Sequence, residues 1–233
     1  VQYLKIKEAI YEQIESGELG DKLPSERKLA ESFNTTRITL REALSLLESE
    51  GKLFREDRRG WFISPQPLIY DPTNTTEFPA MAMAQGRTPR SELLSAELVK
   101  PNKQVAQLLH TTTEDELYRI KRLRYLDNRP VVVVTNYILP SFFPNLLETD
   151  FTHSLSIVYR EQFNRIYTKT RYRVSTTSLT GSTATALRAT AGSPAMFVER
   201  LNYDQFDNLI DCDFEYWRHD AICIQSLATL KHL

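Results

Sequence analysis

Little in this sequence could hold a metal or carry out redox chemistry. Its 233 residues include only two cysteines and four histidines. Cys212 and Cys223 form neither a disulfide framework nor a zinc-type spacing. His110, His153, His219 and His232 are scattered, with no H-E-x-x-H arrangement, so each reads as a surface or packed residue. There is no G-x-S-x-G and no Cys–His pairing motif. No catalytic residue, metal or cofactor is therefore expected. An excess of one charge is missing too. With 29 Lys+Arg against 30 Asp+Glu the net charge is −1, so any basic surface for nucleic acid must be local. No apolar run reaches the ~18 residues of a membrane helix, and no signal peptide is visible. A cytoplasmic protein with no membrane partner is the expectation. The chain begins at Val1 rather than Met, so some N-terminal residues are expected to precede this numbering.

What is present is a soluble globular composition, 41% apolar and 25% charged, over a length that suits one or two domains. Apolar residues fall near helical spacing in 3–16, where Leu4, Ile6, Ala9, Ile10 and Ile14 recur before Gly17. A second helix is predicted after Pro24 with Ser25 as its N-cap and Leu29, Ala30 and Phe33 inward. A third spans 36–50, with Ile38, Leu40, Ala43, Leu44, Leu46 and Leu47 as its apolar side and Gly51 as the residue past its end. "KLFREDRRGWFIS" then reads as two short strands around a basic turn. Three helices and a hairpin in about 65 residues is the layout of a winged helix-turn-helix. Residues 65–78 hold prolines and little periodicity, as in a linker or an extended stretch lying on a domain. Beyond them β-type runs dominate, at 117–126, 130–139, 171–179, 195–203 and 209–217, with "DNRP" as a hairpin turn. Helical candidates are 102–109, 154–163 and 182–190. Strands interrupted irregularly by helices predict an α+β fold with a mainly antiparallel sheet.

The third helix gathers its donors at one end. Thr35, Thr36, Arg37, Thr39 and Arg41 open the stretch "TTRITLREALSLLESEG". A helix entering the major groove needs donors in its first turns and apolar residues behind them. Arg37 and Arg41, four apart, share a face. Lys22, Arg27 and Lys28 lie nearby in sequence, and the hairpin turn adds Arg55, Arg58 and Arg59, while the first helix carries Glu8, Glu12 and Glu15. That combination points to a nucleic-acid surface rather than an ordinary solvated face.

"LPSERKLAESFNTTRITLREALSLLESEG" followed by "RRGWFIS" resembles the DNA-binding domain of GntR-family transcription regulators, over almost all of residues 3–64. The resemblance implies DNA contact by Arg27, Thr36, Arg37, Thr39, Arg41, Arg59 and Gly60. The usual wing carries Gly-x-Gly, and here Trp61 replaces the second glycine. Arg27 could instead partner an acid in the three-helix core, Thr36 could cap its helix, and Gly60 could serve a tight turn.

Residues 79–233 resemble the effector-binding UTRA domain of the HutC-type subfamily, which shares its fold with chorismate lyase. The carrying stretches are "GRTPRSELLSAELV", "RIKRLRYLDNRPVVVVTNYILP", "HSLSIVYREQF" and "LIDCDFEYWRHD". This implies domains at 1–64 and 79–233 joined by 65–78, a homodimer, a pseudo-palindromic operator and a small anionic effector. Directly from the residues, alternation groups Arg122 and Arg124 with Tyr118, Ile120 and Leu126. Two arginines among apolar neighbours need an anion, either a ligand oxyanion or protein carboxylates. Alternation alone does not settle which face is inside. The resemblance favours Arg122 and Arg124 as ligand contacts and adds Ser91, Ser154, Asp211, Tyr216 and Trp217. Asp211, Asp213 and Glu215 share a strand face that is either solvated or turned to a ligand ammonium or to the arginines. Val134 stands where relatives often carry glutamate. The "DFEYWRHDA" stretch looks most like that of regulators of phosphonate use, so the expectation is a repressor sensing 2-aminoethylphosphonate or a related phosphonate. An amino-sugar phosphate, another organic acid, or a lyase-like enzyme are the alternatives.

Overall fold

The first 64 residues fold because three short amphipathic stretches can bury one shared apolar face. In the computed structural model, which describes residues 1–231 except Asp57, Thr75 and Thr76, these are α1 (Gln2–Glu15), α2 (Glu26–Ser32) and α3 (Arg37–Ser49). His232 lies outside the described residues. Ser25 caps α2 by accepting from the Lys28 amide, and Thr36 caps α3 by accepting from the Thr39 amide at 3.2 Å. Asn34 takes a left-handed conformation in the turn between them, with φ 46°, and Gly51 does so past α3, with φ 73°. Ile6, Ile10, Leu29, Ala30, Leu40, Ala43, Leu44 and Leu47 are buried together. Two side chains of the expected apolar set are exposed instead. Leu4 is exposed, and Ile38 is 74% exposed because it lies on the side of α3 opposite Leu40, Leu44 and Leu47.

The hairpin follows as β1 (Leu53–Glu56) and β2 (Gly60–Ile63), paired from Leu53↔Ile63 to Glu56↔Gly60. Arg58 and Gly60 take positive φ in its turn. Trp61 is not at the tip. It is buried in the three-helix core, and its Nε1 donates to Glu26 Oε1 at 3.1 Å. Two later segments complete this compact unit, Ser178–Pro194 and Arg218–Cys223. Within it the His219 ring lies between the carbonyl oxygens of Glu48 and Pro194, and Asp220 accepts from Ser64 Oγ at 2.9 Å.

The rest of the chain builds a second unit. β3 (Leu68–Tyr70) and α4 (Phe78–Ala84) fall in or next to the stretch expected to be a linker. The main sheet then assembles from β4 (Pro89–Val99), β5 (Leu117–Leu126), β6 (Arg129–Ile138), β7 (Tyr167–Ser178), β8 (Pro194–Asp204) and β9 (Leu209–Arg218), in the order β4-β5-β6-β9-β8-β7. Its short helices include α5 (Lys103–Leu108) and α6 (Leu155–Phe163), while α7 (Gly181–Ala186) lies in the Ser178–Pro194 segment of the first unit, and β10 (Ile222–Ile224) pairs with β3. The antiparallel α+β architecture expected from the sequence is the one observed.

The sheet register decides which side chains meet. Arg122 lies opposite Val134, which lies opposite Glu215; Ile120 lies opposite Asn136, which lies opposite Asp213. Across an antiparallel ladder, paired residues point to the same face. One face therefore collects Arg122, Asn136, Asp213 and Glu215. Toward its Tyr118–Ile138–Asp211 end it packs against α6 through Leu155, Val158 and Tyr159. The opposite face, with Leu117, Leu201 and Cys212, is covered in part by Val105 and Leu109 of the α5 region.

Candidate functional site

Two surfaces carry the candidate chemistry, one in each unit. The first is the start of α3. Thr36 spends its oxygen on the cap and stands 3.0 Å from the Thr39 hydroxyl, so the two hydroxyls share one edge of the helix. Arg37 is exposed, and among the described residues no carboxylate pairs with it. Arg41 is exposed as well and donates from Nε to Glu26 Oε2 at 2.8 Å. Against the effect of burial, the Trp61 N–H and the Arg41 guanidinium hold the Glu26 carboxyl below its ordinary value. Arg27 pairs at 2.9 Å with Glu31, one turn along α2 and equally exposed, not with an acid of the core. Arg59 pairs with Glu56 across the hairpin turn and stacks over Phe62. Such exposed pairs contribute ~0–1 kcal/mol each, so an arriving phosphate can displace them. Gly60, with φ 103°, makes the hairpin turn that presents Arg59.

The second surface is a cavity of about 250 Å³ on the helix-covered face of the sheet. Its floor is cationic. Arg122 and Arg124 reach it from β5, and Arg200 reaches it from β8. These three differ in their company. Arg200 donates to both oxygens of Asp213 and lies 3.2 Å from Glu215. Although burial works against it, Asp213 and Glu215 hold its guanidinium well above the ordinary value. Arg122 donates only to the neutral Asn136 Oδ1, at 3.1 Å, and burial pulls its guanidinium below the ordinary value. Arg124 stacks over Phe78 at 5.0 Å; burial, reinforced by repulsion from Arg122, pulls it down to about 9. The Nε of Arg122 and the Nε of Arg124 are both buried without a hydrogen-bond partner. Buried polar groups are satisfied in nine cases of ten or more, so two orphaned donors on one floor are a functional signal.

The three carboxylates of β9 are not solvated. Asp211, Asp213 and Glu215 are all buried. Asp211 accepts from Tyr159 at 2.8 Å, Tyr167 at 2.5 Å and Asn202 at 2.6 Å. Burial and the neighbouring Asp213 push its carboxyl up to about 6, against those three donors. Burial, then Asp211, keeps both tyrosine phenols protonated. Glu215 takes Arg200 and the Trp217 indole N–H, the latter at 2.7 Å. The strand's carboxylates are thus occupied by protein donors. The wall acid still facing the cavity is Glu77, half-buried and accepting from Ser156 Oγ at 2.7 Å.

Of the remaining expected residues, Ser154 lines the cavity as N-cap residue of α6, and its hydroxyl lies 3.1 Å from that of Ser156. Trp217 is buried on the same sheet face as Arg124, outside the cavity lining, with its ring 6.3 Å from that of Phe78. Ser91 is opposite Arg124 in the β4–β5 ladder but is exposed and outside the cavity lining. Tyr216 points to the other face, where it packs on Phe197 and lines a separate depression. A one-residue step along a strand reverses the face, so Tyr216 cannot join Trp217 at one site. The sequence reading had not named Arg200, Asn136, Asn202, Tyr167, Thr170, Tyr172 or Glu77. Alternation along β8 would have grouped Arg200 with Asn202, but nothing local says that β8 lies beside β9.

Among the described residues, no group of three or more His, Cys, Asp and Glu could hold a metal ion, and no helix is long and apolar enough to cross a membrane.

Comparison with known proteins assigns a family to each part of the chain. Residues 2–63 match the family model "Bacterial regulatory proteins, gntR family", and residues 84–222 match the UTRA domain. The chain is 34% identical over 204 residues to an uncharacterized HTH-type transcriptional regulator, YihL, of Escherichia coli K12, covering 87% of this chain and 86% of that one. It is 30% identical over 206 residues to the HTH-type transcriptional repressor NagR of Bacillus subtilis, covering 87% and 84%. In fold it is similar to PhnF from Mycobacterium smegmatis, with a TM-score of 0.68 over 97% of this chain and all of that one, at 23% identity.

Proposed function

We propose, from the premise that this chain belongs to the GntR family of bacterial regulatory proteins and carries a UTRA domain, that it is a cytoplasmic repressor whose DNA affinity is set by a small anionic effector. Functionally the chain divides into a DNA-binding head at 1–64, a connector at 65–78 and an effector domain at 79–233. Two copies would place two α3 helices on the half-sites of a pseudo-palindrome, ~34–36 Å apart. Arg37 reads a base edge, while Arg27, Thr36, Thr39, Arg41, Arg59 and the Gly60 turn hold phosphates and set the register.

The observation that carries the effector reading is the pair of orphaned Nε donors on Arg122 and Arg124, on the floor of one cavity. A bound oxyanion satisfies both and offsets a desolvated cationic floor. Ser154 and Ser156 add hydroxyls at the α6 start. The cavity falls below the ~300–1,000 Å³ of drug-sized sites, which favours a compact ligand. A phosphonate with an amino group, such as 2-aminoethylphosphonate, fits this set, with the oxyanion on Arg122 and Arg124 and the ammonium toward Glu77. Asp211 and Trp217 then act from outside the lining, by fixing Asn202, Tyr167 and Glu215. A second reading, an amino-sugar phosphate, is favoured by one feature: the wall also offers Thr170, Asn202 and the unpartnered Tyr172 hydroxyl to sugar hydroxyls.

A ligand that binds one arrangement of the protein better than another shifts the population toward it, which is all the coupling requires. Thermal shift with a panel of phosphonates, phosphosugars and unphosphorylated amines tests the reading. The expected result is stabilisation by phosphonates or phosphosugars and none by the amines. Stabilisation by none of the anions would contradict it. Turnover of chorismate, expected to be absent, separates the regulator from a lyase-like enzyme.

A further inference from the structure

Ile38 is exposed where its neighbours explain why. Of the apolar side chains of α3, Leu40, Ala43, Leu44 and Leu47 are buried and Leu46 is half-buried, while Ile38 is 74% exposed. It occupies the second position of the helix. Arg37 precedes it, Thr39 follows, and Arg41 stands three residues on, so Arg37, Ile38 and Arg41 lie on adjoining parts of one helix face. A single exposed isoleucine is unremarkable on most surfaces. Here it is set among the donors of the DNA-reading edge, and a β-branched side chain brings no helix propensity to recommend it.

We propose that Ile38 contacts the C5-methyl group of a thymine in the major groove, and so specifies thymine at one position of each half-site. The inference rests on the reading of α3 as the groove helix. Thymine is the base that presents an apolar group in that groove; guanine, adenine and cytosine present donors and acceptors. Isoleucine has neither donor nor acceptor. Against thymine it buries methyl on methyl, and against another base it strips water from a polar edge without replacing the hydrogen bond. Ile38 thus favours one base and penalises the others through the same contact.

The test uses the full-length protein and duplexes it selects from a random pool. Each thymine of the selected half-site is then replaced singly by deoxyuridine, which removes only the methyl group. Wild type is expected to show one position per half-site where the replacement weakens binding about 4-fold, the worth of one buried methyl. Ile38→Ala is expected to bind the thymine duplex more weakly by a similar factor and to ignore the replacement at that position alone. Ile38→Val, which keeps a branched apolar surface, is expected to retain the sensitivity. Because Ile38 is exposed, none of these variants threatens the fold. A scan with no sensitive position, or an Ile38→Ala variant as sensitive as wild type, overturns the inference. Arg37→Ala serves as the control. If it weakens binding while the scan stays flat, only the role of Ile38 fails. If it too is without effect, the groove reading of α3 fails with it.

Discussion

The protein uses arginine in two opposite ways. At the start of α3, Arg37 and Arg41 are exposed, and Arg41 makes a surface pair with Glu26. In the cavity of the second unit, Arg122 is buried and Arg124 half-buried, and the Nε of each is buried without a partner. In water a guanidinium is cheap to keep and weakly held by any one partner, so the head can exchange carboxylates for phosphates along a duplex. Behind a protein wall it is costly to keep and strongly held by the right partner, so the cavity can recognise one small anion. Affinity at the head should therefore fall steeply with salt, and affinity in the cavity should not.

The sharpest way to break this comparison is to remove the cavity arginine that is already paired. Arg200→Met leaves Asp213 and Glu215 buried without their cation, and should destabilise the protein by ~3–5 kcal/mol in denaturant titration. A loss under ~1 kcal/mol would mean that the two carboxylates find other partners. Arg122→Met should do the reverse. It removes a desolvated cation whose Nε is unpartnered, so stability without ligand should hold or rise, while effector affinity should fall by ~2–5 kcal/mol in calorimetric titration.

At the exposed site the effects are smaller. Arg37→Ala should weaken operator binding by ~1–3 kcal/mol and relax preference at one base pair. Arg41→Ala should weaken binding more evenly across sequences and lower the salt slope by about one. Equal behaviour of the two variants in anisotropy titrations would erase the distinction between base reading and phosphate holding.

A subtler test concerns Asp211, whose carboxyl is pushed up to about 6 by burial and Asp213. An acid with a raised folded value binds more protons in the native state than in the unfolded chain. Its stabilising contribution is present below the ordinary carboxylate range, near pH ~4, and is lost as pH rises through about 6. Asp211→Asn should flatten that decline in a stability–pH profile. An unchanged profile would assign the decline to other groups.

Much of this was legible from residues alone, and the exceptions share a cause. Ser25, Thr36 and Gly51 announced the ends of the head's helices because capping is local chemistry. The runs at 117–126 and 209–217 read as strands because β5 and β9 are rich in β-formers and nearly fully buried. β4 was missed. It is an edge strand, exposed along most of its length, with Leu93, Leu94 and Leu98 in solvent, so no period-two pattern marks it. Arg122 and Arg124 could be paired by alternation, but their inward direction came only with the register to β6 and β9. Arg200 was invisible for the same reason: its role depends on β8 lying against β9, a long-range fact. Ile38 misled in the opposite sense: being apolar it reads with the apolar side, yet the residues three and four on are Arg41 and Glu42, so it faces away from Leu40, Leu44 and Leu47.

The most direct test of two arginine sets with two tasks is operator affinity, measured with and without the anion that most raises the melting temperature, in wild type and in Arg122→Met. The account predicts that the anion changes operator affinity in wild type and has no effect on Arg122→Met at the same concentration. An equal response in both proteins would contradict it.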